Sequence, residues 1–250
     1  MAHPFRRPLH LLRSIALLVR TRQYSELAQR FRDRLFDDAS LVGLRLDPRS
    51  VPGSSPEGAS VRVRTATRSD LTRLLVLEDR SLERGERHER AMRLQMGESG
   101  VRTCYVAEDQ AGVPCFVQWL VLADQNDVLQ EVFAGWYPPL GKDEAMLEFA
   151  YTPPTRRGQG IMGAATPQIL GIARDRGVRS VVTFIPTGNS RSLRIHLRMG
   201  FVPYLLHLER RRLGFLKRRF VPVSSLQDVE KLVQGFDATQ FEDIGGKPMG

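Results

Sequence analysis

Hydrophobic and polar residues alternate in several short runs after residue 60. This period of two, together with apolar runs of strand length, predicts β-strands. The predicted strands are 61–67 (VRVRTAT), 103–109 (TCYVAED), 114–123 (PCFVQWLVLA), 145–152 (AMLEFAYT), 178–186 (VRSVVTFIP) and 201–213 (FVPYLLHLERRRL). The turn Gln110-Ala111-Gly112 joins the second and third runs, which is typical of a β-hairpin.

Apolar residues at helical spacing predict four helices among these strands. They are expected at 71–82, behind the capping residues Ser69 and Asp70, and at 83–96, 165–177 and 190–200. Gly177 and Gly200 stand where the last two helices should end, because glycine readily adopts the left-handed conformation that follows a helix.

The N-terminal residues 1–46 are rich in arginine and are predicted to form a basic amphipathic helical segment. Their apolar runs are too short to span a bilayer, and no small-residue cleavage site suggests a signal peptide. Two arrangements remain open for residues 1–36: a helix packed on the main domain, or a helix lying on an anionic membrane surface. A Pro-, Gly- and Ser-rich linker is expected at 47–60.

Composition narrows the kind of protein further. The 250 residues carry 37 Lys and Arg against 28 Asp and Glu, a net charge of +9 that suits a phosphorylated ligand, an anionic membrane or nucleic acid. The two cysteines, Cys104 and Cys115, lie in apolar runs and fit a reducing cytoplasm. No Cys and His pattern suggests a metal, and no recognition motif suggests nucleic acid, so neither partner is expected.

The stretch 156–163, RRGQGIMG, contains Gly-x-Gly-x-x-Gly, the usual fingerprint of a dinucleotide-binding turn. A dinucleotide-binding turn requires its first glycine directly after a strand and an acid about 20 residues later, and both features are missing. A Walker-type loop requires Gly-Lys-Ser/Thr, which does not follow. What remains is a series of exposed backbone N–H groups at a helix start with arginines beside it, which is an anion cradle.

These residues resemble the GNAT acyltransferase superfamily. Its Arg/Gln-x-x-Gly-x-Gly/Ala signature is matched by Arg157-x-x-Gly160-x-Met162, with Met162 at the last small position and Gly163 just beyond. Its second signature is matched from Asn189 through Ser192 to Gly200-Phe201, with His196 where the family has tyrosine. The strand before the cradle ends in Thr152 where the family has valine.

The resemblance implies an α/β (α+β) fold with a mixed, largely antiparallel central sheet flanked by helices. The acyltransferase domain would cover 61–226, with the basic helical segment before it and a C-terminal helix and tail at 227–250. The implied activity is N-acyl transfer from acetyl-CoA, or another acyl-CoA, to a small-molecule primary amine that attacks the thioester directly. The protein would be cytoplasmic, or peripheral at the inner face of the membrane.

The resemblance also implies which residues bind the cofactor. They are Ala150, Tyr151, Thr152, Arg156, Arg157, Gly158, Gln159, Gly160, Ile161, Met162, Gly163, Asn189 and Ser192. The arginines and the amides of the cradle would hold phosphates, and backbone N–H groups near Ala150 to Thr152 would stabilise the oxyanion. Asn189 can cap the following helix, bind the pantetheine region of CoA, or do both.

Two side chains are candidates for proton transfer. Glu148 lies in the strand that leads to the cradle, and burial would raise its pKa toward useful basicity. His196 can protonate the departing thiolate in place of tyrosine. A non-catalytic acyl-CoA sensor remains an alternative because that tyrosine is missing, and a basic nucleic-acid-binding protein is a further alternative.

Overall fold

The computed structural model describes residues 36–51, 60–77, 82–213 and 215–237. The strands in these ranges are β1 (Phe36–Leu46), β2 (Arg62–Thr65), β3 (Cys104–Glu108), β4 (Pro114–Leu122), β5 (Glu144–Tyr151), β6 (Ser180–Pro186), β7 (Val202–Arg212) and β8 (Phe215–Pro222). The helices are α1 (Arg68–Leu74), α2 (Arg84–Glu98), α3 (Asn126–Phe133), α4 (Ile161–Asp175), α5 (Ser190–Arg198) and α6 (Leu226–Asp237).

The chain divides into two compact units. Of the described residues, 43–51, 60–77 and 82–204 form the larger unit, and 36–42, 205–213 and 215–237 form the smaller one. The linker predicted at 47–60 begins with a short 3-10 turn, Pro48–Ser50, that Asp47 caps, and residues 52–59 lie outside the described part.

In the larger unit, five strands follow the order β2-β3-β4-β5-β6. Neighbours are antiparallel from β2 to β5, whereas β5 and β6 are parallel. Parallel neighbours need a crossover connection, and α4 provides it. Strands β3 and β4 are buried along nearly their whole length. The fold class expected from the resemblance, a mixed and largely antiparallel sheet with flanking helices, is confirmed.

The smaller unit contains a long antiparallel hairpin. Strands β7 and β8 pair from Leu205↔Pro222 to Arg212↔Phe215. Glu209 is buried within this hairpin and accepts hydrogen bonds from Arg218 at 2.5 and 2.9 Å. Helix α6 follows at the place where a C-terminal helix was expected, and residues 238–250 lie outside the described part.

Three local expectations need correction. The segment 36–46, expected to be helical, is strand β1, because Leu41, Val42 and Leu44 are buried on both of its faces, a burial typical of a strand inside a sheet. Residues 1–35, the rest of the predicted basic segment, lie outside the described part.

The first helix of the larger unit begins and ends earlier than predicted. Its cap is Thr67, which shares a capping box with Asp70, and the helix ends at Leu74. Arg64 donates hydrogen bonds of 2.6 and 2.9 Å to the carboxylate of Asp70, and these bonds fix Asp70 in the first turn of the helix. Helix α3 lies in the polar, aromatic-containing stretch 125–144, where no helix was predicted.

Candidate active site

Strand β5 is interrupted two residues before its end. Trp119 pairs with Glu148 and Val117 pairs with Tyr151, so Phe149 and Ala150 together face a single residue of β4. This two-against-one arrangement is a β-bulge. Phe149 adopts a positive φ of 57°, a conformation that is uncommon for a residue other than glycine.

Strands β5 and β6 are paired only over their first residues, from Glu144↔Ser180 to Met146↔Val182. Beyond that point the side chain of Glu148 reaches β6, where its Oε1 accepts a hydrogen bond of 2.7 Å from the backbone N–H of Phe184. A carboxylate thus bridges the two strands where their pairing ends.

The predicted anion cradle follows β5 directly. A short 3-10 turn, Pro154–Arg156, leads to Gly158 and Gly160, whose φ values of 82° and 73° favour glycine. Gly160 caps α4, which begins at Ile161. A Cβ atom at Gly158 or Gly163 would meet nothing within 4 Å, so the backbone at both positions borders open space. Exposed N–H groups at a helix start attract anions.

A cleft of about 900 Å³ lies against this cradle. Most of the predicted cofactor-binding residues line it: Ala150, Thr152, Arg156, Arg157, Gly158, Gly160, Ile161, Met162, Gly163, Asn189 and Ser192. Six lining residues were not predicted: Val51, Pro167, Arg191, Ile195, Arg198 and Met199. Tyr151, Gln159, Glu148 and His196 were predicted but are not among the lining residues.

The four arginines that line the cleft fall into two groups. Arg156 donates to Asp109 at 2.9 Å, and Arg157 donates to Glu86 at 2.6 Å. Arg191 and Arg198 are exposed, and no carboxylate of the described residues pairs with either. All four positive charges therefore border the same cleft, and two of them already have an anionic partner.

Glu86 connects helix α2 to the cofactor side of the site. Its carboxylate accepts hydrogen bonds from the hydroxyl of Tyr151 at 2.6 Å, from Arg157 at 2.6 Å and from Arg90 at 3.2 Å. Burial alone would raise the pKa of Glu86, but these three donors outweigh burial and hold the pKa below its usual value. The residue is therefore an anion that competes with any other anion for Arg157.

Glu148 has the electrostatic environment that the sequence predicted. Burial raises its pKa to about 7, against the hydrogen bonds from the backbone of Phe184 and the hydroxyl of Thr183, which favour the charged form. Tyr137 also donates to this carboxylate, and burial together with the nearby charge raises the pKa of Tyr137. A carboxyl group with a pKa near neutrality can accept and release a proton at physiological pH.

The residues of the second signature occupy helix α5. Asn189 caps the helix, since its Oδ1 accepts a hydrogen bond of 3.1 Å from the N–H of Ser192. The imidazole of His196 is buried, packs edge-on against Phe201 at 5.2 Å, and has its Nδ1 2.9 Å from the carbonyl oxygen of Ser192. Burial lowers the pKa of His196. The proton-donor role of this residue stays a prediction.

Sequence reasoning missed Glu86 and Arg93, both on helix α2. Arg93 donates to the backbone oxygens of the two bulge residues, Phe149 at 3.1 Å and Ala150 at 2.8 Å. The spacing of Glu86, Arg90 and Arg93 places them on one face of the helix, and this spacing is the feature of the sequence that could have identified them. A run of charged residues is usually solvated, and only their burial in the fold distinguishes these three.

An aromatic cluster lies beside Glu148 and the bulge. Phe149 contacts Trp119 and Phe133 at centroid distances of 6.2 and 5.5 Å, and Tyr137 contacts Phe133 and Phe184 at 5.1 and 5.3 Å. Two of these rings, Phe133 and Tyr137, come from α3 and the segment after it, a stretch where no helix was predicted. The cluster fixes Phe149 and Tyr137 around the carboxylate.

A family model, the Acetyltransferase (GNAT) domain, matches residues 60–202. The match covers more than half of the chain, so the chain belongs to the GNAT acetyltransferase family. This family consists of acyl-CoA-dependent N-acetyltransferases that act on amines. The resemblance drawn from the two signatures is confirmed.

Two solved structures are reported for similarity to this chain, and the first of them, with a TM-score above 0.5, agrees with it in fold. One is a GCN5-related glucosamine N-acetyltransferase region of a fungal multi-domain GH3 β-N-acetylglucosaminidase, with 15% identity and a TM-score of 0.52 over 78% of this chain and 23% of that one. Another is a GCN5-related N-acetyltransferase from Sphaerobacter thermophilus, with 13% identity and a TM-score of 0.44 over 79% and 57% of the two chains. The chain thus spans about a quarter of the first protein and over half of the second. Among curated proteins, no sequence matches it.

Two further properties concern the described part of the chain. No group of three or more His, Cys, Asp or Glu side chains in it is placed to hold a metal ion. None of its helices is long and apolar enough to cross a membrane.

Proposed function

We propose that this protein transfers an acyl group, with acetyl as the expected one, from CoA to a small-molecule primary amine. One observation supports this above all: the cradle, the β5 bulge and Glu148 follow one another along a single strand and the turn after it. The carboxylate sits where β5 and β6 separate, two residues from Ala150, which borders the cleft. An activated amine and a thioester would meet at this point.

The cleft suits the cofactor in three respects. Its volume of about 900 Å³ falls within the range of small-molecule sites. Gly158 and Gly163 leave their backbone open to a close approach by phosphates. Four arginines surround it, which matches a ligand that carries a diphosphate and a further phosphate. When bound, the acyl-CoA supplies an activated thioester carbonyl.

The proposed chemistry needs one base and no change of oxidation state. The acceptor nitrogen forms a bond to the acyl carbon, and the bond from that carbon to the CoA sulfur breaks. The proton that the amine loses goes to Glu148, which returns it to solvent, and the sulfur leaves as a thiolate that takes up a proton from solvent and becomes the free thiol. Tyr137, hydrogen-bonded to Glu148, orients the carboxylate.

Release of free CoA thiol from acetyl-CoA and longer acyl-CoAs over a panel of amines tests this proposal. The panel includes glucosamine, because one structure of the same fold is described as a glucosamine N-acetyltransferase region. We expect amine-dependent thiol release and an N-acylated product detected by mass spectrometry. Tight acyl-CoA binding without thiol release for any amine would contradict catalysis and support the sensor alternative.

We expect Arg191 and Arg198 to contribute to cofactor affinity, because both line the cleft without a carboxylate partner among the described residues. Replacing both by alanine should weaken CoA binding about 10-fold, equivalent to ~1.4 kcal/mol. The loss should be smaller for dephospho-CoA, which lacks the 3′-phosphate and its charge. Titration calorimetry of both ligands measures the difference.

Arg194 provides the matched control for this pair. It is exposed on the same helix but does not line the cleft. Arg194→Ala should leave both affinities within about twofold of wild type. Equal CoA affinities for the double variant and the Arg194→Ala control would show that Arg191 and Arg198 do not contribute to cofactor binding.

For residues 1–36 we propose reversible contact with an anionic membrane at its cytoplasmic face. This segment carries eight arginines against Glu26 and Asp33, a net charge of +6, and each basic residue near such a surface contributes ~1 kcal/mol. Co-sedimentation should occur with anionic and not with neutral vesicles, and should disappear at high salt and on deletion of residues 1–36. If no protein sediments at low salt, a packed N-terminal segment is the better description.

A further inference from the structure

We propose that Arg93 is a positioning residue that fixes the β5 bulge so that the backbone N–H of Ala150 can serve the acyl carbonyl. This inference rests on the proposed function, because the role given to Arg93, which lies outside the cleft, is defined by the acyl transfer proposed to take place inside it. Helix α2, which carries Arg93, would thereby take part in building the oxyanion site.

Arg93 contacts both residues of the bulge through their backbone oxygens. Its Nε donates to the carbonyl oxygen of Phe149 at 3.1 Å, and its Nη2 donates to that of Ala150 at 2.8 Å. Its Nη1 donates to the carbonyl oxygen of Glu89 within helix α2 at 2.9 Å. The side chain is 15% exposed and lies over the ring of Tyr151 at 5.2 Å. One guanidinium therefore joins a helix to two consecutive carbonyls of the neighbouring strand.

The contact of Arg93 with the carbonyl of Phe149 fixes the direction of the next backbone N–H, that of Ala150. The C=O and N–H of one trans peptide point in opposite directions because the unit is planar. The unit between Phe149 and Ala150 has its oxygen held by Arg93, so its N–H, which belongs to Ala150, points away from Arg93. Ala150 lines the cleft. The hydrogen bond to the cationic donor also polarises this peptide and strengthens its N–H as a donor.

The bulge needs such support. Phe149 has a φ of 57°, a strained conformation that persists only when surrounding contacts determine it. The aromatic neighbours Trp119 and Phe133 hold its side chain, whereas Arg93 holds its backbone. Lysine could not replace arginine here, because a single ammonium lacks the planar fork that reaches two carbonyls at once.

The experiment compares Arg93→Ala, Arg93→Lys and wild type with acetyl-CoA labelled with ¹³C at the thioester carbonyl. Isotope-edited infrared spectroscopy reports the carbonyl band of the bound ligand, which moves to lower frequency when hydrogen-bond donors polarise it. We expect a clear downshift in wild type, its loss in Arg93→Ala, and its recovery when guanidinium ion is added. The affinity for CoA itself should stay within about threefold, and kcat with an identified amine should fall about 10²-fold while KM for acyl-CoA changes little.

Arg90 supplies the matched control. It is a buried arginine on the same face of α2 and also lies over Tyr151, at 5.7 Å, but it donates to Val76 and Glu86 and not to the bulge. Arg90→Ala should keep the carbonyl downshift even if it lowers the unfolding temperature. Arg93→Lys, which preserves charge and most of the volume, provides a folded variant if Arg93→Ala does not fold, and it should also lose most of the downshift.

The outcomes separate this inference from the proposed function. If folded Arg93 variants retain the wild-type downshift, Arg93 has no positioning role, and the acyltransferase proposal is unaffected. If wild type binds no acyl-CoA, the proposed function itself fails. A downshift lost equally in the Arg90 and Arg93 variants would assign the effect to helix α2 as a whole and overturn the specific role of Arg93.

Discussion

Gly163→Asp is expected to weaken acyl-CoA binding by more than ~100-fold while the protein stays folded. Gly163 lines the cleft in the first turn of α4, and a Cβ atom there would meet nothing within 4 Å. The added carboxylate would therefore face the space that the cradle offers to a diphosphate. Two like charges at ~5 Å and an effective dielectric constant of ~20 repel by ~3 kcal/mol. One such repulsion lowers the affinity by more than ~100-fold.

Gly163→Asn is the matched control, because asparagine has nearly the same volume and no charge. Gly163→Asn should weaken CoA binding by about 10-fold or less. Aspartate should stabilise the helix more than asparagine does, because an acidic side chain is favourable in the first turn of a helix. Calorimetry measures binding, and thermal unfolding confirms that both variants fold. Similar affinities for the two variants would show that no ligand phosphate lies near Gly163.

The strands and helices that the sequence predicted most accurately are those that are buried on one face or on both. Strands β3 and β4, joined by a short turn, appear where alternation and apolar runs placed them. Strand β1 was missed because the basic residues before it favoured a helical interpretation, although its apolar residues are those of a buried strand. Local pattern cannot show which sheet position a segment will occupy.

The cradle was predictable because its determinants are consecutive in sequence. Glycines at positive φ are local features and appear where the motif placed them, whereas the following helix, predicted from residue 165, begins four residues earlier at Ile161. The contacts of Glu86 and Arg93 were not predictable in the same way. The contacts of Glu86 with Tyr151 and of Arg93 with Ala150 join residues more than 50 positions apart, and only the packing of α2 brings them to β5 and the cradle.

His196 shows a second limit of sequence motifs. The spacing of the second signature correctly placed the residue on helix α5, four residues after Ser192. The side chain nevertheless packs against Phe201 and does not line the cleft. A motif specifies a position along the chain, whereas the direction of a side chain depends on the residues that pack around it.

Glu148→Gln is expected to lower the rate of acyl transfer at neutral pH by ~10² to 10⁴, the usual contribution of a general base. The substitution keeps the volume and the hydrogen bond from the Phe184 amide but removes the proton-accepting charge. Acyl-CoA affinity should change by less than about threefold, because Glu148 does not line the cleft. A rate within about threefold of wild type, with the amine in excess, would exclude Glu148 as the base.

The pH dependence of the two proteins provides the stricter test. Burial raises the pKa of Glu148 from 4.5 to about 7, so the wild-type rate should rise through pH 7 as the carboxyl loses its proton, and the Glu148→Gln rate should lack this step.

The same pKa shift of Glu148 affects the stability of the folded protein. A folded pKa above the unfolded one means that the folded state binds the extra proton, so this stability is fully present below pH 4.5 and is lost as pH rises through 7. Glu148→Gln should therefore unfold at a higher temperature than wild type at pH 8, and the two unfolding temperatures should converge toward pH 5. A constant gap between pH 5 and pH 8 would mean that Glu148 keeps an ordinary pKa and cannot serve as a base poised near neutrality.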